Sequence, residues 1–198
     1  MKILGLSCSP RKSGNTVILL EEALSGAEQE GAETELFSVS RKDIRPCDGC
    51  WACHQTGKCH IEDDMQPLYA KMVESDGIIF GTPVYYYSMT GQAKTILDRM
   101  IALEGRLANK VGGLIIVAGS VGIISPAKDI YFTMVMKKMV PANLVGVYGF
   151  DKGDVREMKR GIQAAHNLGR EMVQIAAKKF EYPAEFTRSF FAYGTHTH

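Results

Sequence analysis

With 198 residues, of which 45% are apolar and 23% charged, the chain can bury a sizeable core as a single domain without disulfide staples. A formal net charge of +1 removes the electrostatic reason to expect nucleic acid or an acidic membrane as a partner. The N-terminal MKILGLSCSP is too short an apolar run for a signal peptide, and no apolar stretch approaches the roughly 18–20 residues that span a bilayer, so a cytoplasmic protein is expected.

KILGLS (residues 2–7) is a short apolar run closed by a Ser/Gly/Pro-rich loop, which predicts a buried strand. From Thr16 to about Gln29 the apolar residues recur with helical spacing, and ETELFSV (33–39) alternates as a strand does. A cysteine-rich stretch follows, then DDMQPLYAKMVES, where Asp63 or Asp64 can cap a helix. DGIIFGT (76–82) predicts the third strand, ahead of the aromatic loop PVYYYSM and the helix GQAKTILDRMIAL. VGGLIIVAG (111–119) and NLVGVYG (143–149) complete the strands, with a helix around 127–139 between them and a last helix from about Asp154 to Lys179. Strands alternating with crossover helices predict a parallel sheet covered on both faces. Five such strands fit an α/β, flavodoxin-like, doubly wound fold of strand order 2-1-3-4-5. Such sheets bind ligands beyond the carboxyl ends of their strands, so the loops after the first, third and fourth strands should carry the chemistry.

The first of these loops reads SCSPRKSGNTV and leads into a helix, whose N-terminal N–H groups suit an anion. Neither a dinucleotide G-x-G-x-x-G nor a triphosphate-binding G-x-x-x-x-G-K-[ST] is present. Clustered hydroxyls around a single turn suit a terminal monophosphate, such as that of FMN; a polar loop that merely caps a helix is the plainer alternative. S-x-S-P-R-K-x-G-N-T resembles the FMN-phosphate loop of the NAD(P)H-dependent FMN reductase superfamily. The resemblance implies that Ser9, Arg11, Lys12, Ser13, Asn15 and Thr16 hold the phosphate. Cys8 departs from the glycine usual there, so a side chain must fit where backbone passes close to the ligand.

The loop after the third strand carries three consecutive tyrosines, whose rings can border a flat isoalloxazine ring. It resembles the same family's G-x-P-V-Y…K-x-x-x-D-R segment, which implies Pro83, Val84, Tyr85, Tyr86, Tyr87 and Ser88 at the flavin edge. Lys94, Asp98 and Arg99 of that segment are read as structural ion pairs. After the fourth strand, Gly119 and Ser120 permit backbone to approach the ring, although Val121, Ile123 and Ile124 replace the glycine-rich run of relatives.

Cys47, Cys50, Cys53 and Cys59 form C-x2-C-x2-C-x5-C. A reducing compartment and an odd total of five cysteines argue against disulfides. Soft thiolates at two successive x2 spacings favour a [4Fe–4S] cluster, with zinc or unliganded thiols as alternatives. His54 and His60 are further ligand candidates, and Trp51 can cover a cluster, stack near a flavin or anchor a subunit. The spacing resembles the iron–sulfur flavoprotein branch of the superfamily, which implies FMN beside a cluster in a homodimer or homotetramer.

The expected function is therefore that of an FMN-dependent oxidoreductase, joining FMN to a cluster or to a one-electron carrier such as ferredoxin. An NAD(P)H-dependent FMN or quinone reductase without a cluster is the first alternative, and a non-enzymatic FMN shuttle with a structural zinc loop the second. Electron transfer requires no catalytic acid or base, and no residue is assigned that role. Residues 1–180 are expected to form one FMN-binding domain with its cysteine loop at 46–60. The aromatic tail 181–198, with Phe186, Phe190, Phe191 and Tyr193, is expected to dock or to make an oligomer contact, and His196 and His198 to fray.

Overall fold

Alternate residues of the first strand, β1 (Lys2–Ser7), face opposite sides of a sheet, and both sides are covered. The fold is that of a computed structural model, which describes residues 1–187. Five parallel strands run in the order β2-β1-β3-β5-β6, comprising β2 (Glu33–Ser38), β3 (Gly77–Tyr85), β5 (Val111–Ala118) and β6 (Val140–Tyr148) with β1. This is the expected order. Every residue of the interior strand β5 is buried, whereas the edge strands β2 and β6 are partly exposed.

Ile3 faces α1 (Asn15–Gln29) and α6 (Lys159–Ala176), where Leu19, Leu20, Ile79, Ile115 and Met172 complete one core. Leu4 and Leu6 face α3 (Met65–Glu74), α4 (Gly91–Arg99) and α5 (Ile124–Met136), with Leu68, Ile78 and Leu114 in the other. Burying each such side chain contributes about 1.5–3 kcal/mol. The two helices on the first face cross at glycines. A Cβ on Gly169 would lie 1.7 Å from the Ala23 carbonyl oxygen, and one on Gly26 2.0 Å from that of His166.

Several boundaries differ from those expected. The third strand continues through Tyr85 because its end pairs with a two-residue antiparallel strand, β4 (Ser88–Met89). The fifth parallel strand begins at Val140, and α5 begins at Ile124. The last helix is preceded by a separate 3-10 turn, Asp154–Glu157. A five-residue helix, α2 (Ala52–Thr56), was not foreseen, being too short to show a period. No helix among the described residues is long and apolar enough to cross a membrane. Phe186 is exposed in a final 3-10 turn, while Phe190, Phe191, Tyr193, His196 and His198 lie outside the described residues.

Candidate functional site

The sheet order reverses between β1 and β3, and a cleft of about 420 Å³ opens beyond their carboxyl ends. Ser9, Arg11, Gly14, Asn15 and Thr16 line one end of it. Gly14 caps α1 without a side-chain acceptor, which leaves first-turn N–H groups to a ligand. No lining residue is acidic. Ser9 Oγ accepts the Arg11 N–H at 3.2 Å and so shapes the turn. Cys8 points instead into the core beside Leu6, where burial pushes its thiol up to about 12. Its side chain therefore does not compete for the cleft.

Pro83, Val84, Tyr85, Tyr86 and Gly119 line the rest of the cleft, together with Val117, Gly149 and Phe150. Lys12 and Ser13 are exposed and outside the lining. Tyr87 and Ser120 border an adjoining groove of about 310 Å³, which shares Val84, Tyr86 and Gly119 with the cleft. Ser88 lies in β4, where its Oγ accepts a long hydrogen bond from Ser125 Oγ at 3.4 Å.

Gly149 and Phe150 were missed by the sequence reading, and Asn15 explains their presence. Its Nδ2 donates to the Asp151 carbonyl at 2.8 Å and its Oδ1 accepts the Gly153 N–H at 2.7 Å. This side chain thus draws the loop after β6 across to the cleft. The available signal was a glycine following a strand at the same end of the sheet.

β3 and β4 are joined by Tyr86 and Tyr87, at φ +46° and +67°. A two-residue hairpin turn with both φ values positive normally takes Asn-Gly. Left-handed backbone costs a bulky residue about 1–2 kcal/mol. The two rings meet edge to face at 5.6 Å, with Tyr86 96% exposed at the cleft mouth.

Cys47, Cys50, Cys53 and Cys59 line a second pocket, of about 120 Å³. All four are unbridged. Gly49, Trp51 and Gly57 adopt positive φ and curl the chain around the pocket, and α2 carries Cys53 in its first turn. Burial raises the Cys53 pKa, and repulsion from Cys59, Cys47 and Cys50 raises it further. Zinc holds sulfur at about 2.3 Å, which places tetrahedral thiolates about 3.8 Å apart. Among the described residues, the donor atoms that meet in a trio within 4.8 Å are those of Asp48, Cys50 and His60. No three of the four thiols form such a trio among the described residues. Contacts with the Cys50 thiol and with His60 at 2.8 Å hold the Asp48 carboxyl down at about 2. Trp51 and His60 also line the pocket, and His54 packs edge to face on Trp51 at 6.0 Å.

The ends of the cysteine loop are tied below this pocket. Asp63 accepts the Arg45 N–H at 2.9 Å and the Met65 N–H at 3.0 Å, so it closes the loop and starts α3 together. Asp64 instead accepts the Asp43 N–H at 2.8 Å. Gln66 Nε2 donates to the carbonyls of Cys59 and Ile61 at 3.1 and 2.8 Å. Lys94 and Asp98 form an exposed pair one helical turn apart, but Arg99 is fully buried against the pocket.

Comparison with known proteins agrees with this geometry. Residues 1–145 match the NADPH-dependent FMN reductase family. The chain is 37% identical over 187 residues to an iron-sulfur flavoprotein of Methanocaldococcus jannaschii, covering 88% of this chain and 97% of that one. Among solved structures, a flavone reductase superposes with a TM-score of 0.74 at 25% identity, covering 89% of this chain and 63% of that one. A WrbA-like flavodoxin protein from Agrobacterium tumefaciens gives 0.66 at 14% identity, covering 90% and 98%. The chain belongs to the NADPH-dependent FMN reductase family, within its iron–sulfur flavoprotein branch.

Proposed function

We propose that this protein is an FMN-dependent oxidoreductase that holds FMN in the larger cleft and a [4Fe–4S] cluster among Cys47, Cys50, Cys53 and Cys59. The observation that carries the reading is the pairing of two prepared sites on one chain: an uncapped helix terminus ringed by hydroxyls, and four unbridged thiols around one pocket. Bound there, FMN supplies one- or two-electron chemistry and a cluster single-electron exchange. The first-turn amides of α1, with Ser9, Thr16 and Arg11, hold the phosphate. Lys12 and Ser13 add positive charge and a hydroxyl at its exposed side. Pro83 to Tyr86, with Gly119, border the ring, and Tyr87, Ser88 and Ser120 support that border.

Thr16→Val removes the hydroxyl but keeps the packing of Thr16 against Gly81. Loss of one hydrogen bond to a charged group is worth about 1.5–3 kcal/mol, or about 10–150-fold in Kd. Titration of flavin-free protein should show this weakening for FMN and none for riboflavin, which has no phosphate. Equal weakening of both would place the phosphate elsewhere.

Replacing Tyr86-Tyr87 by Asn-Gly should raise the stability of flavin-free protein by about 1–2 kcal/mol, by relieving the left-handed turn, and should weaken FMN binding. Thermal melting and FMN titration check the pair of effects. Unchanged affinity would remove the two rings from the flavin border.

The open groove beside the cleft favours a second reading, in which NAD(P)H or a quinone stacks from that side and the thiols stay empty. Stopped-flow reduction by NADH, NADPH and reduced ferredoxin distinguishes these donors. Exposed Tyr86, Tyr87, Ile124 and Phe150 support a homodimer or homotetramer, and five unbridged thiols suit the cytoplasm.

A further inference from the structure

Arg99 ends α4, and its guanidinium reaches beneath the cysteine loop to touch both of that loop's ends. On one side Nη1 donates to the Arg45 carbonyl at 2.7 Å. On the other, Nη1 and Nη2 grip the two oxygens of Asp63 at 2.9 and 3.2 Å. Asp63 also accepts the Arg45 N–H, which closes a ring across the neck of the loop. Behind them, Nε donates to the Tyr69 hydroxyl at 3.2 Å, and that hydroxyl donates to the Arg99 carbonyl at 2.9 Å. Both side chains of the Arg99–Asp63 pair are fully buried.

A planar fork matched to a carboxylate gives such a pair its geometric specificity. Arg99 is also part of the lining of the four-cysteine pocket, and Asp63 is not. Arg99 therefore sets a buried positive charge beside the pocket, away from water that would screen it.

We propose that Arg99 is a positioning residue for the group held by the four cysteines: it keeps the neck of the loop shut, and its charge favours that group's reduced state. The inference rests on reading Cys47, Cys50, Cys53 and Cys59 as cluster ligands. α4 then joins the two sites physically. Thr90 caps its start and donates to the Cys8 carbonyl in the phosphate loop at 2.8 Å, while Arg99 grips the cysteine loop at its end.

The test uses wild type, Arg99→Lys, Arg99→Met and Asp63→Asn, each reconstituted anaerobically with ferrous iron and sulfide. Midpoint potentials are then read by EPR-monitored redox titration. Arg99→Met should hold less iron and sulfide and become harder to reduce by about tenfold, or about 59 mV for one electron. Arg99→Lys keeps the charge without the fork, so it should lose cluster faster while its remaining cluster stays near the wild-type potential. In cluster-free Arg99→Met, hydrogen exchange of the Arg45 and Met65 amides should accelerate. An Arg99→Met protein with full iron and sulfide at the wild-type potential would overturn the proposal. Should Arg99→Met not fold, Asp63→Asn decides: its potential should rise, and an unchanged one overturns the proposal. A wild type that takes up neither iron nor sulfide fails the reading of the cysteines, and the inference falls with it. One that takes up both yet ignores Arg99 and Asp63 fails the inference alone.

Discussion

Serine at Cys53 or Cys59 is expected to give a protein that keeps FMN and carries neither iron nor sulfide. These two thiols are the half-buried members of the set, packed against the core that also contains Leu6 and Met65. A serine hydroxyl is a hard, protonated oxygen at neutral pH and replaces a soft thiolate poorly. The cleft contains no cysteine in its lining, so the flavin should be untouched. Iron and acid-labile sulfide analysis, with flavin released by denaturation, measures both outcomes on one sample. Loss of flavin along with iron would mean that the cysteine loop builds the flavin site itself.

Gly169→Ala should be the most destabilising single-methyl change in the fold. Its Cβ would meet the Ala23 carbonyl oxygen at 1.7 Å and the Ala27 nitrogen at 2.8 Å, and neither backbone atom can rotate away. Overpacking a core costs typically about 1–3 kcal/mol, and a helix–helix clash belongs at the top of that range. For a domain of this size a loss of about 3 kcal/mol lowers Tm by about 6–12 °C. Gly91→Ala is the control: nothing lies within 4 Å of its would-be Cβ. Equal melting temperatures for the two variants would contradict the close crossing of α1 and α6.

Much of the scaffold was legible because its signals are local and repeated. Apolar runs between helical periods predict the sheet and its order, and hydroxyls ahead of Thr16 predict a phosphate loop. Other features depend on contacts between distant residues. Asn15 reads as a phosphate donor, yet its amide bonds the loop at 151–153, a partner no spacing announces. Tyr86-Tyr87 carries no turn signal, since its sharp reversal is imposed by the β3–β4 pairing against local preference. Lys94, Asp98 and Arg99 read as one ion-pair group. Helical geometry lets the first two pair on the surface and turns the third inward to Asp63.

The Cys8 thiol shows the same division. In sequence it crowds the phosphate loop, but strand alternation sends its side chain to the core face shared by Leu4 and Leu6. The family's glycine position is thus filled without narrowing the cleft.

The central claim is that one chain holds both a flavin and a four-thiolate cluster. Anaerobic purification, followed by the visible spectrum with FMN, iron, sulfide and zinc determined on the same sample, tests it most directly. The account predicts flavin bands superimposed on a broad iron–sulfur absorption, with equal amounts of iron and sulfide and no zinc. Flavin bands without iron or sulfide, or zinc in their place, would contradict it.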